Sequence, residues 1–149
     1  MPRAAEKSGL VLPRDEAAGA CADAPTVGAI VVNFNGGDRV LRALDALTRQ
    51  RYSLAEIVVV DNASSDGSPA RIRATYPTVR LMEREANEGL PRARNVGLAT
   101  LQTTLAFIVD HDIYADEGCI EAMVRAYVAE SPDVVCPRIR LLPDRDIVQ

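Results

Sequence analysis

"TTLAFIVDHDIYADEG" (residues 103–118) runs an apolar segment into two aspartates, Asp110 and Asp112, with His111 between them. A short apolar run that breaks at polar residues reads as a buried strand. The aspartates then fall at its carboxyl end, the edge where ligands sit in parallel α/β sheets. In an extended segment residues two apart point the same way, and neighbouring carboxylates repel unless a cation or a proton intervenes. Three readings are open from this stretch alone: a metal-binding pair, a hydrolase's nucleophile pair, or a polar loop that stops a strand. In that extended path His111 would project to the other side and reads as packing or as a support behind the ligands, not as a ligand itself.

Working outward, the chain from Thr26 alternates apolar runs with amphipathic stretches, the pattern of β-α-β units around a mostly parallel sheet. "TVGAIVVNF" reads as a first buried strand stopped by "NGG". "DRVLRALDALTRQ" places Val40, Leu41, Leu44 and Leu47 at helical spacing. "EIVVVDN" reads as a second strand, and "ASSDGSPARIRATY" as a turn into a helix with Ser68 as N-cap and Pro69 at the first helical position. "TVRLMER" is a short third strand, "NEGLPRARNVGLATL" a glycine-marked loop entering a helix, and "TTLAFIVD" the fourth strand. "DEGCIEAMVRAYVAE" puts Ile120, Met123, Val124 and Tyr127 on one helical stripe, and "DVVCPRI" reads as a further strand. Residues 1–25 mix Ala, Gly, Pro and charges without period and read as a flexible extension before a single domain over 26–149.

Composition narrows the classes. At 149 residues and 48% hydrophobic content, one core is expected. A net charge of -4 gives no footprint for nucleic acid, so no nucleic-acid partner is expected. Sixteen of the seventeen basic residues are Arg and the only lysine is Lys7, which leaves lysine-dependent chemistry one poor candidate. Cys21, Cys119 and Cys136 are odd in number and in no metal-ligand pattern, and read as reduced thiols. No apolar stretch approaches the roughly 20 residues of a membrane span, and no signal-peptide core is present, so a soluble cytoplasmic protein is expected, reaching the inner face of the membrane only through partners.

Each candidate has a plain structural alternative. Asp61, Asn62, Ser64, Ser65 and Asp66 in "VVVDNASSDGS" stand at the end of the second strand, where they could face a ligand or merely turn the chain and cap a helix. Arg92 and Arg94 lie near a helix start beside Gly89, where guanidinium groups and free N–H groups suit a diphosphate; they could equally lie on a solvated face. Asp110 and Asp112 offer hard oxygen ligands to Mg²⁺ or Mn²⁺, with waters and substrate phosphates completing an octahedron.

Taken in order, "VGAIVVNFNGG", "IVVVDNASSDGS", "NEGLPRARNVGLA" and "AFIVDHDIYADEG" resemble the family 2 glycosyltransferases of the GT-A fold, over about residues 26–138. The resemblance implies a Rossmann-like three-layer α/β sandwich that binds a nucleoside diphosphate sugar at its switch point. It implies that Val32, Asn33, Phe34 and Asn35 line the base pocket, that Asp61 and Asn62 contact the base, and that Arg94 lies near the diphosphate or the turn supporting it. Asp110 would touch ribose or the metal, and Asp112 would hold a divalent Mn²⁺ or Mg²⁺ bridging the phosphates. The implied reaction is an inverting displacement by a hydroxyl of an acceptor, whether glycan, lipid or small molecule, with metal and Arg stabilising the departing nucleoside diphosphate.

Two departures stand out. Members ordinarily continue well past the D-x-D with an acceptor-binding half carrying the catalytic Asp or Glu. Here the sequence ends soon after it, so the expectation is a domain incomplete at its C-terminus whose missing half a second polypeptide or another copy covers. Asp144 and Asp146 match no motif for the base, so the catalytic residue is unassigned. His111 also stands where the family commonly has Asp. A D-x-D strand also resembles haloacid dehalogenase phosphatases, but Lys7 is the only lysine, Tyr114 occupies the place of the expected hydroxyl residue, and three strands precede the motif. The rival to a complete enzyme is a donor-binding fragment without turnover.

Overall fold

A computed structural model describes residues 24–140. Strands β1 (Val27–Asn33), β2 (Glu56–Asp61), β3 (Arg80–Glu83) and β4 (Leu105–Asp110) alternate with helices α1 (Gly37–Thr48), α2 (Ser68–Thr75), α3 (Leu90–Leu98) and α4 (Cys119–Glu130). The four strands form one sheet in the order β3-β2-β1-β4, every pair parallel. Connections run outward from β1 to β2 and β3 and then cross to β4 on the other side. The carboxyl ends of β1 and β4 therefore flank the topological switch point.

Strand alternation divides the core between two faces. Val27, Ala29 and Val31 of β1, Val59 of β2, and Phe107 and Val109 of β4 meet Val40, Leu44 and Leu47 of α1, Ile72 of α2, and Ile120 and Val124 of α4. On the opposite face Val32, Val58 and Val60 meet Ala93 of α3. That helix lies close: a methyl group added at Gly97 would come within 2.7 Å of Ile30 and 3.2 Å of Val60. One helix thus covers β1 and β2 on this face, while Ile108 of β4 stays 41% exposed.

Three expectations are corrected. Residues 133–139 form no strand; Val134 and Ile139 are 75% and 71% exposed. A strand needs a ladder partner, and this segment has none here despite its β-branched composition. Gly67, with φ of 78°, rather than Ser68 caps α2, and Ser68 is the first helical residue. The third concerns the D-x-D and is described below. The proposed extension lies, except for Ala24 and Pro25, outside the described residues, as do Lys7, Cys21, Asp144 and Asp146. Cys119 and Cys136 are free thiols. Among the described residues no helix is long and apolar enough to cross a membrane.

Candidate functional site

The two residues at each strand end point to opposite faces, and this parity sorts the candidates. Asn33 and Asp61, paired across β1 and β2, turn toward the α1 and α2 side. They are 0% and 2% exposed, and Ser68 beside them is also fully buried. The Asn33 amide donates to Asp61 Oδ1 at 2.7 Å and Ser68 Oγ at 2.8 Å, with Ser64 Oγ at 3.1 Å. The Ser64 hydroxyl and amide both donate to Asp61, at 2.6 and 2.9 Å. Gly36 N–H donates to Asn33 Oδ1 at 3.2 Å, and a Cβ at Gly36 would collide with that oxygen. The result is a closed polar hub in which each member is satisfied by another, as burial demands.

The surrounding loops extend the hub. Ser65 N–H donates to Asn35 Oδ1 at 2.8 Å, and Asn35 N–H donates to Ser64 Oγ at 2.9 Å. Asp66 accepts from Ser68 N–H and Oγ–H on one oxygen and from Gly37 N–H on the other. Burial works to raise the Asp66 carboxyl, but the Ser68 hydroxyl and the Ser68 and Gly37 amides outweigh it and hold it below the usual carboxylate value. Asn35 and Ala63 take left-handed backbone at φ of 51° and 66°, so the two loops after β1 and β2 both turn sharply.

Val32 and Asp110, paired across β1 and β4, turn toward α3. Arg94 of α3 donates to Asp110 Oδ1 at 2.6 Å, while its Nε is buried with no hydrogen-bond partner. The pair is partly open, at 35% and 40% side-chain exposure. On the same face the Asn62 amide donates to Asn87 Oδ1 at 2.6 Å, and Asn62 Oδ1 accepts from Glu88 N–H, which ties the end of β2 to the loop entering α3. Asn62 is 3% exposed, whereas Phe34 is 43% exposed and Asn35 also faces solvent. Arg92 is 67% exposed and reaches back to Glu88 rather than joining Arg94. Arg84's hydrogen bond, against the opposing pull of burial and with help from Arg92, holds the Glu88 carboxyl below its ordinary value.

The extended geometry expected for the D-x-D is not met. β4 ends at Asp110, and residues 111–112 form a turn closed by Ile113 N–H on the Asp110 carbonyl at 3.1 Å. The turn arises because the ladder with β1 ends at Asp110, leaving the next residues without a strand partner. Asp112 is exposed, and the half-buried His111 ring lies where a Cβ at Gly36 would approach it to 3.2 Å. His111 therefore lies against the first loop, although the extended path on which its middle position was read is absent.

Among the described residues no three His, Cys, Asp or Glu side chains gather into a metal cage. Asp110 and Asp112 carry the hard carboxylate oxygens that Mg²⁺ or Mn²⁺ takes alongside waters and phosphate oxygens, and one Asp110 oxygen is engaged by Arg94. Two hollows lie elsewhere, one of about 460 Å³ between α1 and residues 114–117, the other of about 400 Å³ beside β4, lined by Leu105, Phe107, Met123 and Tyr127.

The hub's construction and the role of Asn87 are not marked in the sequence. Strand parity could have separated Asn33 and Asp61 from Val32, Asn62 and Asp110. Nothing local could have joined Asn87 to Asn62, since they lie 25 residues apart in the chain.

The architecture defines the class. S. aureus TarS (residues 1–349) shares the fold at a TM-score of 0.72 and 22% identity, over 83% of this chain and 38% of that one. A mannosyltransferase from Pyrobaculum calidifontis, solved with GDP-Man and Mn²⁺, matches at a TM-score of 0.64 and 29% identity, over 69% of this chain and 32% of that one. The fold is that of the GT-A glycosyltransferases. The chain belongs to glycosyl transferase family 2, whose sequence profile matches residues 29–145. Curated relatives include the succinoglycan biosynthesis protein ExoO of Rhizobium meliloti, 34% identical over 59% of this chain and 26% of that protein. Glycosyltransferase GlyG of Streptococcus pneumoniae is 27% identical over 73% of this chain and 37% of that protein. The chain thus spans well under half the length of these relatives.

Proposed function

We propose that this chain forms the donor-nucleotide half of a glycosyltransferase that takes a nucleoside diphosphate sugar and passes the sugar, with inversion, to an acceptor hydroxyl. The observation that carries the reading is the Arg94–Asp110 pair at the β1/β4 switch point, with Asp112 exposed just beyond it. Family membership and the TarS structures solved with UDP and with UDP-GlcNAc support the donor class.

The roles follow from exposure and charge. Phe34 and Asn35 are the exposed residues after β1 and would meet the base, with Val32 and Asn62 forming the floor beneath it. Asp61 and Asn33, buried in the hub, would hold the two base-side loops rather than touch the nucleotide. Asp112 and Asp110 would hold Mn²⁺ or Mg²⁺, which when bound supplies positive charge at the diphosphate leaving group. Arg94 has one terminal nitrogen on Asp110 and would offer its remaining guanidinium N–H groups to phosphate or ribose oxygens, adding charge where the leaving group develops it.

The second reading is nucleotide binding without transfer. It needs only the donor-side residues described above, whereas transfer also needs a general base, to which no residue is assigned. Calorimetric titration with UDP and GDP, with and without Mn²⁺, tests the donor site, and release or transfer of sugar from UDP-GlcNAc and GDP-mannose tests turnover. Mn²⁺-dependent binding with turnover supports the enzyme; binding alone supports the second reading. No Mn²⁺-dependent binding of either nucleotide would contradict both.

A further inference from the structure

The loop that carries Asp112 leaves the sheet at Asp110 and does not regain regular structure until Cys119. Asp112 is exposed, so the direction of its carboxylate depends on the backbone path of that loop. Ile113 and Ala115 pack against the core on one side. The far end is held by a side chain from another part of the chain. Gln50, just past the end of α1, donates from Nε2 to the carbonyls of Asp116 at 2.8 Å and Ala115 at 3.3 Å, and to Ala46 of its own helix at 3.1 Å. Two hydrogens serve three carbonyls, so one is shared. Gln50 Oε1 accepts from Ile120 N–H at 3.1 Å, and Arg51 N–H donates to the Glu117 carbonyl at 2.8 Å.

The placement is informative because α4 has no cap of its own. Its N-cap residue is Gly118, which has no side chain to accept from the first free N–H groups of the helix. Gln50 supplies that acceptor from 70 residues away, while its amide nitrogen reaches the Ala115 carbonyl and the Asp116 carbonyl, which also accepts from Cys119 N–H at 2.8 Å. A single planar amide thus joins the end of α1, the loop and the start of α4.

We propose that Gln50 is a positioning residue for metal-dependent donor binding: by pinning residues 115–120 it fixes the path on which Asp112 is presented. This rests on the metal role given to Asp112 above. Gln50 touches neither nucleotide nor cation; it acts through the loop backbone. Gln50→Ala removes both donor and acceptor. Gln50→Glu keeps an acceptor for Ile120 N–H but loses the donors and sets a carboxylate against carbonyl oxygens.

The test is UDP and GDP affinity of the full chain, each with and without Mn²⁺, together with amide hydrogen exchange over residues 110–120. The expected result is a loss of about tenfold in Mn²⁺-dependent affinity in both variants, metal-free affinity within twofold of wild type, and faster exchange at residues 113–118. Ile120 N–H should exchange faster in Gln50→Ala than in Gln50→Glu. A fall in melting temperature with an unchanged ratio of Mn²⁺-bearing to metal-free affinity would make Gln50 merely structural and overturn the proposal. If the wild-type protein shows no Mn²⁺ effect, the metal reading of Asp112 fails and takes the binding role of Gln50 with it. Exchange at Ile120 unchanged in Gln50→Ala would overturn the clamp itself, whatever the nucleotide does. Should Gln50→Ala fail to fold, Gln50→Glu carries the same comparison.

Discussion

Two polar clusters stand a few residues apart at the carboxyl edge of one sheet, and they differ in almost every physical respect. On the α1 and α2 side, Asn33, Asp61 and Ser68 are buried and bonded to one another. On the α3 side, Asp110 and Arg94 are partly exposed, one Arg94 nitrogen is buried without a partner, and Asp112 faces solvent. The closed network directs its hydrogen bonds to its own members and so fixes the loops around it. An open, incompletely satisfied one retains capacity to bind. Polar residues at a strand end are thus not one class, and the side of the sheet to which each points decides its job.

The comparison breaks most visibly at Asp61. Asp61→Ala leaves the Asn33 amide and Ser64 without their acceptor in a buried site, which should cost about 3 kcal/mol of stability in denaturant unfolding. A loss below about 0.5 kcal/mol, the range of ordinary surface changes, would mean that water replaces the carboxylate and that the hub is not closed. Gly97→Ala comes next. Its methyl group would push α3 away from Ile30 and Val60, for about 2 kcal/mol, and carry Arg94 away from Asp110. Chemical denaturation and nucleotide titration should both register it; a change in neither would show that α3 shifts freely.

Smaller effects sharpen the same contrast. Ala63 sits at φ of 66° between the two clusters, a conformation an L side chain resists, so Ala63→Gly should stabilise the protein by about 1 kcal/mol in denaturant unfolding. Unchanged or lower stability would mean that the methyl group contributes packing that outweighs the strain. The least effect is expected at Asp66. Its carboxyl titrates below the ordinary value of about 4, so its stabilisation is fully present above that pH and is lost as pH falls through the lowered folded value. Asp66→Asn should flatten the acid limb of a pH-melting profile in that window and leave neutral pH nearly unchanged. An acid limb identical to wild type would remove Asp66 from the account of the loop.

Much of the fold was legible in the sequence because strands and helices announce themselves locally. The stripe of Val40, Leu44 and Leu47 is buried as its spacing predicted, and the four strands fall within the runs read for them. Residues 133–139 were misread because a strand is a relation between two segments, and composition carries only one of them. The site was legible as an order of motifs, which brought β1, β2, α3 and β4 to one edge. Its internal geometry was not. The Arg94–Asp110 pair crosses from helix to strand, and the turn at residues 111–112 follows from the end of the ladder, which no residue type marks. Asn33 and Asp61 were grouped with the base-binding residues by motif. Their burial in the hub reflects strand parity, which the motif order leaves out.

The central claim is that binding capacity lies with the open cluster and structural support with the closed one. Titration of Asp112→Asn with UDP and GDP, with and without Mn²⁺ and alongside its thermal melt, tests it most directly. The account predicts that the Mn²⁺ enhancement of nucleotide affinity disappears while the melting temperature stays within about 2 °C of wild type, as for a surface substitution. Enhancement retained in Asp112→Asn would place the cation elsewhere, and enhancement lost together with a large fall in melting temperature would make Asp112 part of the scaffold.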